Sequence, residues 1–449
     1  MIYFNGGFFD IVIGNPPYIK ENTDKSVFDG LRKSIYYQGK MDLWYLFACV
    51  GLDFVKTKGV LSFIATNNWI TNSGASKLRN KILNDSKINR YVDFSNFKIF
   101  ESAGIQTMIF ILEKNSNNEK YTFDYSKLLN SNIDFADLKK FLLKEVDSDF
   151  FHFDSQIIKK DFINKTIDFN DNIVTDILLK IESKRNFYLD GKTEINSGID
   201  IPQDFVNKSS LEILGNGSAI GDGIFVLSND EVNKLDLNEN EKNLLKPFYT
   251  PKELFRYSVN NENKFWIIYT DSSFKDSHRM KEFPNLKAHL DKFQKVITSE
   301  NKPYGLNRAR NERYFLSEKI LVQRKCPTKP SFVYVDFHSY VNRTFIPIKT
   351  ERINLKYLVG ILNSKLCQFW LKYKGKMQGD NFQVDKDPIL QIPIFKALEE
   401  DTLHVINLVD KILNKKKQGG DIQELENQIN KLIYKLYELT DDEIAIIEK

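Results

Sequence analysis

Phe9-Asp10-Ile11-Val12-Ile13-Gly14-Asn15-Pro16-Pro17-Tyr18 decides how this chain is read. Its first six residues form an apolar run broken only by Asp10, which predicts a buried parallel strand. A strand that ends in Asn-Pro-Pro-aromatic carries a rigid loop at the carboxyl edge of its sheet, because proline locks φ. Open α/β sheets hold their ligands at that edge. Pro16 and Pro17 have no backbone N–H, so the loop offers carbonyls instead. The Asn15 amide oxygen and the Pro16 carbonyl, turned into one pocket, form a double acceptor. An exocyclic amino group, with two N–H donors, fits it. Tyr18 is then placed to stack on the ring that carries the amine. The bland alternative is a plain turn, since Asn and Pro both favour turns, but a turn alone does not account for the strand before it.

Outward from this stretch the chain alternates strands and helices. Leu43, Leu46, Phe47, Val50 and Phe54 recur at helical spacing. Residues 60–65 read as a short apolar strand, and Leu78 and Ile82 mark a short helix. Tyr91-Val92-Asp93-Phe94 and residues 107–112 read as two more strands. The polar, Asn/Ser-rich stretch 115–135 predicts a boundary. Beyond it, Ile173, Ile177, Leu178 and Ile181 carry a helical pattern that suggests a connector. From about 191 to 395 short apolar or aromatic runs alternate with Gly, Asn, Asp and Pro clusters, the texture of a strand-rich α+β region. Residues 397–449 read as helices, with a break at Gly419-Gly420 and a capping box at Thr440-Asp441-Asp442-Glu443.

Composition sets outer limits. A chain of 449 residues suits two or three domains, and 42% apolar residues supply real cores. The net charge of +4 is no nucleic-acid signature by itself; a DNA binder of this composition needs its cations segregated on one face. Cys49, Cys326 and Cys367 are isolated and odd in number, which argues against a disulfide framework and for a cytoplasmic protein. The five histidines form no ligand-spaced cluster with them, so no metal site is expected. No apolar run approaches membrane-spanning length, and residues 1–7 lack the features of a signal peptide.

The stretch 10–18 resembles the catalytic motif of S-adenosylmethionine-dependent amino-methyltransferases, in the version of the TaqI-type and Type IIG adenine-N6 DNA methyltransferases. The resemblance implies that a target adenine is flipped out of the duplex. Asn15 and Pro16, with Pro17 shaping the loop, accept from its N6, and Tyr18 stacks on the base. Gly39-Lys40-Met41-Asp42-Leu43-Trp44 resembles the segment that follows this loop, and Phe47 then corresponds to an aromatic bordering the cofactor adenine; plain helix core is the equal alternative. Asp10 and Asn15 join Phe47 as implied cofactor contacts. Gly59-Val60-Leu61-Ser62-Phe63-Ile64 followed by Asn67-Asn68-Trp69-Ile70 resembles the next strand and its edge loop. Phe97-Lys98-Ile99-Phe100-Glu101 before Ile105-Gln106-Thr107 resembles the motif that sets a second aromatic against the flipped base, with Phe100 the candidate and Phe97 the fallback.

The later region resembles a TaqI-like target-recognition domain. Its pieces include Gly198-Ile199-Asp200, Leu245-Lys246-Pro247-Phe248, and Lys372-Tyr373-Lys374-Gly375-Lys376-Met377-Gln378 before Gln391-Ile392-Pro393. Basic residues interleaved with an aromatic and a glycine suit a loop close to phosphates, so Lys372, Lys374, Lys376 and Gln378 are the expected DNA contacts. A solvated loop is the alternative. The glycines from Gly215 to Gly223 imitate a cofactor loop but run into an apparent strand rather than a helix, so they read as turns.

The expected fold is α/β: an incomplete Rossmann-like methyltransferase sheet, then an α+β recognition domain, then C-terminal helices. The expected boundaries are 1–125 for the catalytic half, 126–190 for a helical connector, 191–395 for recognition and 396–449 for the helices. In the family the units that hold the cofactor precede the catalytic loop, and only fourteen residues precede Asn15. The expectation is therefore a chain inactive alone, either a fragment or a subunit whose partner carries the cofactor-binding half. Double-stranded DNA is the other implied partner. Competing readings are a non-catalytic recognition subunit, or an enzyme that methylates glutamine amides or RNA guanine amines. The long strand-rich region argues against the last two.

Overall fold

The computed structural model describes residues 8–100, 105–115, 119–167, 169–378 and 381–449. Glu101 of the Phe97–Phe100 motif and residues 1–7 lie outside them. The chain divides into two compact units, Met1–Leu179 and Lys180–Lys449.

The first unit is built on one six-stranded mixed sheet. Its strands are β1 (Phe9–Gly14), β2 (Val55–Thr66), β3 (Ser86–Asp93), β4 (Thr107–Lys114), β5 (Lys120–Leu128) and β6 (Phe150–Ile158), in the order β1-β2-β4-β3-β5-β6. Helix α1 (Leu43–Phe54) connects β1 to β2, and α2 (Ser76–Asp85) connects β2 to β3. β1 runs parallel to β2, whereas β4 is antiparallel to both β2 and β3. The carboxyl ends of β1, β2 and β3 therefore share one edge of the sheet. Leu61, Ala65, Ile88, Phe110 and Leu112 pack from the strands against Trp44, Ala48, Leu52 and Ile82 of the helices.

Two expectations change here. The stretch 126–190 is not a helical connector throughout, because β5 and β6 extend the first sheet. The alternation of Tyr121, Phe123 and Tyr125 against Phe153 and Phe151 is a strand period, and the cross-strand aromatic pair Tyr125–Phe153 stands 4.8 Å apart between centroids. The expected helix is present later, at Asn172–Ser183. Nor is β1 buried: Phe9, Ile11 and Ile13 are 54, 68 and 80% exposed. Among the described residues its backbone pairs on one side only, with β2.

The second unit holds three small sheets around a separate core. One is β7 (Val226–Ser228), β9 (Phe265–Ile268) and β8 (Leu245–Phe248); another is β12 (Phe332–Val335), β10 (Lys319–Gln323) and β13 (Phe345–Ile348). The third joins β11 (Lys325–Cys326), β15 (Asn381–Gln383) and β14 (Lys376–Gln378). All ladders in these sheets are antiparallel. Helices follow at Leu355–Leu362, Lys365–Lys374, Glu399–Lys417, Gln423–Leu436 and Asp441–Glu448. The last opens on the expected capping box, with the Thr440 side chain accepting from Glu443 N–H. Arg256 ties the helices to the sheets: it bonds Glu426 at 2.9 Å and the Pro330 carbonyl at 2.8 Å.

Candidate active site and recognition surface

The Asn-Pro-Pro-Tyr loop leaves β1 at the shared carboxyl edge. Pro16 is buried, Asn15 and Pro17 are exposed, and Tyr18 is half-buried. The Tyr18 hydroxyl lies 2.5 Å from Asn15 Oδ1 and 2.9 Å from the Ile64 carbonyl at the end of β2. Donation to Asn15 orients its amide and leaves one Oδ1 lone pair for an incoming N–H. Burial first, and then the nearby Asp42 carboxylate, pushes the Tyr18 phenol up to about 12, so it stays a neutral donor at neutral pH.

The loop after β3 brings an aromatic to the same place. The Phe100 ring stands 6.3 Å from that of Tyr18, tilted by 49°. Phe97 instead packs onto the small cluster of Val92, Phe94, Leu128, Phe141 and Phe150. Between the two loops lies the edge after β2. There Asn67 Nδ2 donates to Asp93 Oδ1 at 3.1 Å, while Asn67 N–H donates to the Gln106 carbonyl at 3.1 Å.

The segment 39–44 is fastened beneath the loop. Leu43 N–H donates to the Ile19 carbonyl at 2.9 Å and Glu21 N–H to the Met41 carbonyl at 2.9 Å. Glu21 accepts from the Tyr37 hydroxyl, from Lys40 N–H at 2.6 Å and from Arg32 at 2.9 Å, and these bonds hold its carboxyl below the usual range. Gly74 is required at the closest approach: a Cβ there would lie 1.9 Å from the Lys40 carbonyl oxygen. Asp42 was not singled out from the sequence as a site residue. It is 2% exposed, and burial, only partly offset by the backbone N–H groups of Trp44 and Leu43, raises it to about 6. Its place within the motif-like segment 39–44 was the available signal.

The expected cofactor contacts separate. Phe47 lies one helical turn beyond Leu43 and is 47% exposed, a free ring at the same end of the unit. Asp10 is the second residue of β1, five residues from Asn15 and hence about 16 Å away along an extended strand. Its carboxylate pairs with Lys56 at 3.2 Å. Among the described residues no His/Cys/Asp/Glu group is arranged to hold a metal ion, and no helix is long and apolar enough to cross a membrane.

In the second unit Lys372 and Lys374 occupy the last turn of helix Lys365–Lys374, and Lys376 and Gln378 lie exposed on β14. The glycine-rich stretch is a set of turns, with Gly215, Gly217 and Gly221 at positive φ before β7.

A mixed α/β sheet with this loop at the carboxyl ends of its strands is the architecture of a methyltransferase domain. Residues 2–100 match the Eco57I restriction-modification methylase family and residues 246–394 the TaqI-like C-terminal specificity domain. The chain is 24% identical over 448 residues to the Type II methyltransferase M.HincII of Haemophilus influenzae, covering 94% of this chain and 82% of that one. It is 22% identical over 457 residues to the Type II methyltransferase M.BstVI of Geobacillus stearothermophilus, covering 98% and 75%. Its fold is shared with the Type IIL restriction-modification enzyme MmeI, solved in complex with DNA: TM-score 0.63, 14% identity, 97% of this chain. The chain spans 55% of the length of MmeI. The chain is thus similar to Type II restriction-modification methyltransferases along nearly its whole length, with a match to a TaqI-like specificity domain over residues 246–394.

Proposed function

We propose that this chain is the base-accepting and target-recognising part of a site-specific DNA methyltransferase, which moves a methyl group from S-adenosylmethionine to N6 of an adenine flipped from the duplex. The observation that carries this reading is the meeting of Asn15, Tyr18 and Phe100 at one edge. Asn15 Oδ1 and the Pro16 carbonyl accept hydrogen bonds from the two N6–H groups, which turns the nitrogen lone pair toward the methyl donor; one of the two protons leaves to solvent once the new N–C bond has formed. Tyr18 and Phe100 flank the flipped ring and repay part of its lost stacking. S-adenosylmethionine, when bound, supplies the electrophilic methyl. The residues present fit one wall of its site, with Phe47 available against the cofactor adenine.

The edge of β1, which pairs only with β2 among the described residues, supports a second body that completes the pocket. Ile11 and Ile13 on the strand and Phe47, Val50 and Phe54 on α1 are all exposed. An unpaired apolar edge is a template for another strand. A cofactor-holding part, in the same polypeptide or a partner subunit, is the occupant proposed for it.

The test is transfer of labelled methyl from S-adenosylmethionine into unmethylated duplex DNA, by the chain alone and with a polypeptide carrying the cofactor-binding half. Transfer is expected only in the second case. Asn15→Ala is expected to lower it by roughly 100- to 1000-fold, the usual cost of one such hydrogen-bonding group, while duplex retention on a filter is unchanged. Robust transfer by the chain alone sinks the need for a second body. Equal transfer by Asn15→Ala sinks the catalytic assignment and favours the recognition-subunit reading.

A further inference from the structure

The hairpin of β14 and β15 sorts its side chains by face. Lys376 pairs with Gln383, Met377 with Phe382 and Gln378 with Asn381; β11 sets Lys325 opposite Gln383 and Cys326 opposite Phe382. Paired residues project to the same side of a ladder and successive residues alternate. Met377, Phe382 and Cys326 therefore share one face, and Phe382 and Cys326 are buried there. Lys325, Lys376, Gln378, Asn381 and Gln383 share the other, where all but Gln383 are exposed. Among the described residues of the three strands, that face holds two cations, three amides and no carboxylate.

The amides are not equivalent. Gln383 Nε2 donates to the Asp385 carboxylate at 3.3 Å, and Asp385 is itself held by Arg324 at 2.8 Å. Asn381 makes only a 3.3 Å bond to the Gln378 carbonyl. The Gln378 side chain, like those of Lys325 and Lys376, has no partner among the described residues. Pro327 ends β11, since it cannot donate to a ladder. Beyond Phe382 the ribbon is thus two strands wide, with Gln378 and Asn381 side by side at its far end.

We propose that this face enters the major groove of the duplex, where Gln378 and Asn381 read base edges and Lys325 and Lys376 contact the flanking phosphates. This rests on the reading of the chain as a DNA methyltransferase. Strands lie about 4.8 Å apart, so a two-stranded end fits a groove about 12 Å wide. Asn and Gln amides match the N6 donor and N7 acceptor of adenine, a pattern the major groove displays and the minor groove does not. Lysines supply charge without sequence information. The face accordingly divides into a reading end and an anchoring base, and it predicts an A·T pair within the recognition sequence.

The experiment selects duplexes from a random library with the full chain, sequences those retained, and repeats the selection at two salt concentrations. Gln378→Ala and Asn381→Ala are expected to lose preference at one or two positions, by roughly ten- to a hundredfold each. Lys325→Ala and Lys376→Ala are expected to weaken all duplexes alike and each to reduce the log–log salt slope by about 0.9. Circular dichroism verifies that each variant is folded. An unchanged consensus in both folded amide variants overturns the assignment while leaving the DNA reading intact. A wild-type chain that retains no duplex overturns both.

Discussion

β1 and β10 are both short runs of branched aliphatic residues, Phe-Asp-Ile-Val-Ile-Gly and Lys-Ile-Leu-Val-Gln, yet they occupy opposite environments. Ile11 and Ile13 of β1 are 68 and 80% exposed, whereas Ile320, Leu321 and Val322 of β10 are fully buried. The difference lies in their neighbours. β10 is the central strand of its sheet, with β12 on one side and β13 on the other. β1 has β2 on one side and no strand beyond it among the described residues. An apolar run states that a strand can be buried. The rest of the fold decides whether it is.

The sharpest way to break this comparison is to truncate the buried strand. Leu321→Ala is expected to cost about 2–5 kcal/mol, the range for a buried leucine left as a cavity, read by urea unfolding and by faster hydrogen exchange at the β10 amides. A cost below about 1 kcal/mol places β10 at a surface.

The two units also carry buried charges of opposite sign. Lys319 is fully buried, its ammonium donates to the Ser317 and Phe337 carbonyls, and burial followed by Lys349 lowers it from 10.5 to about 7. Its stability contribution is present above pH 10.5 and is lost as pH falls through about 7, so the second unit gains stability between those values. Asp42 is raised from 3.8 to about 6, so its contribution is present below pH 3.8 and is lost as pH rises through about 6. Lys319→Met is expected to flatten the alkaline rise. Asp42→Asn is expected to stabilise the first unit by roughly 1–3 kcal/mol at neutral pH. Unfolding curves across pH, followed by hydrogen exchange in each unit, test both slopes. A first unit whose pH profile is unchanged by Asp42→Asn shows that this carboxylate is solvated.

The smallest effect belongs to the open edge. Ile13→Ala is expected to change stability by less than about 0.5 kcal/mol, as at other exposed positions, while weakening association with any body that covers β1. A penalty equal to that of Leu321→Ala shows β1 covered in solution.

Much of the first unit was legible because its signals are local. Leu43, Leu46, Phe47, Val50 and Phe54 repeat at helical spacing within one element, and α1 spans Leu43–Phe54. Thr440 and Glu443 cap within a single turn. β5 was missed because its polar flanks hid a strand whose partner, β6, lies more than twenty residues later. Asp10 lies near the start of β1 and Asn15 just past its end, a separation along one strand that motif membership does not express. Phe100 and Phe97 differ by three positions in one loop, and only packing separates the ring facing Tyr18 from the ring in the core.

The sequence alone determined the rigid Asn-Pro-Pro-Tyr loop, the helices with their caps and the presence of a second, strand-rich region. Each follows from φ restriction, periodicity or hydrogen bonding among residues a few positions apart. Only the tertiary structure decided that, among the described residues, β1 pairs with β2 alone and exposes its apolar side chains, that Asp42 is buried, and that Lys325, Lys376, Gln378 and Asn381 share one face. Those properties depend on ladders and packing between residues tens of positions apart, whose pairing no local pattern specifies.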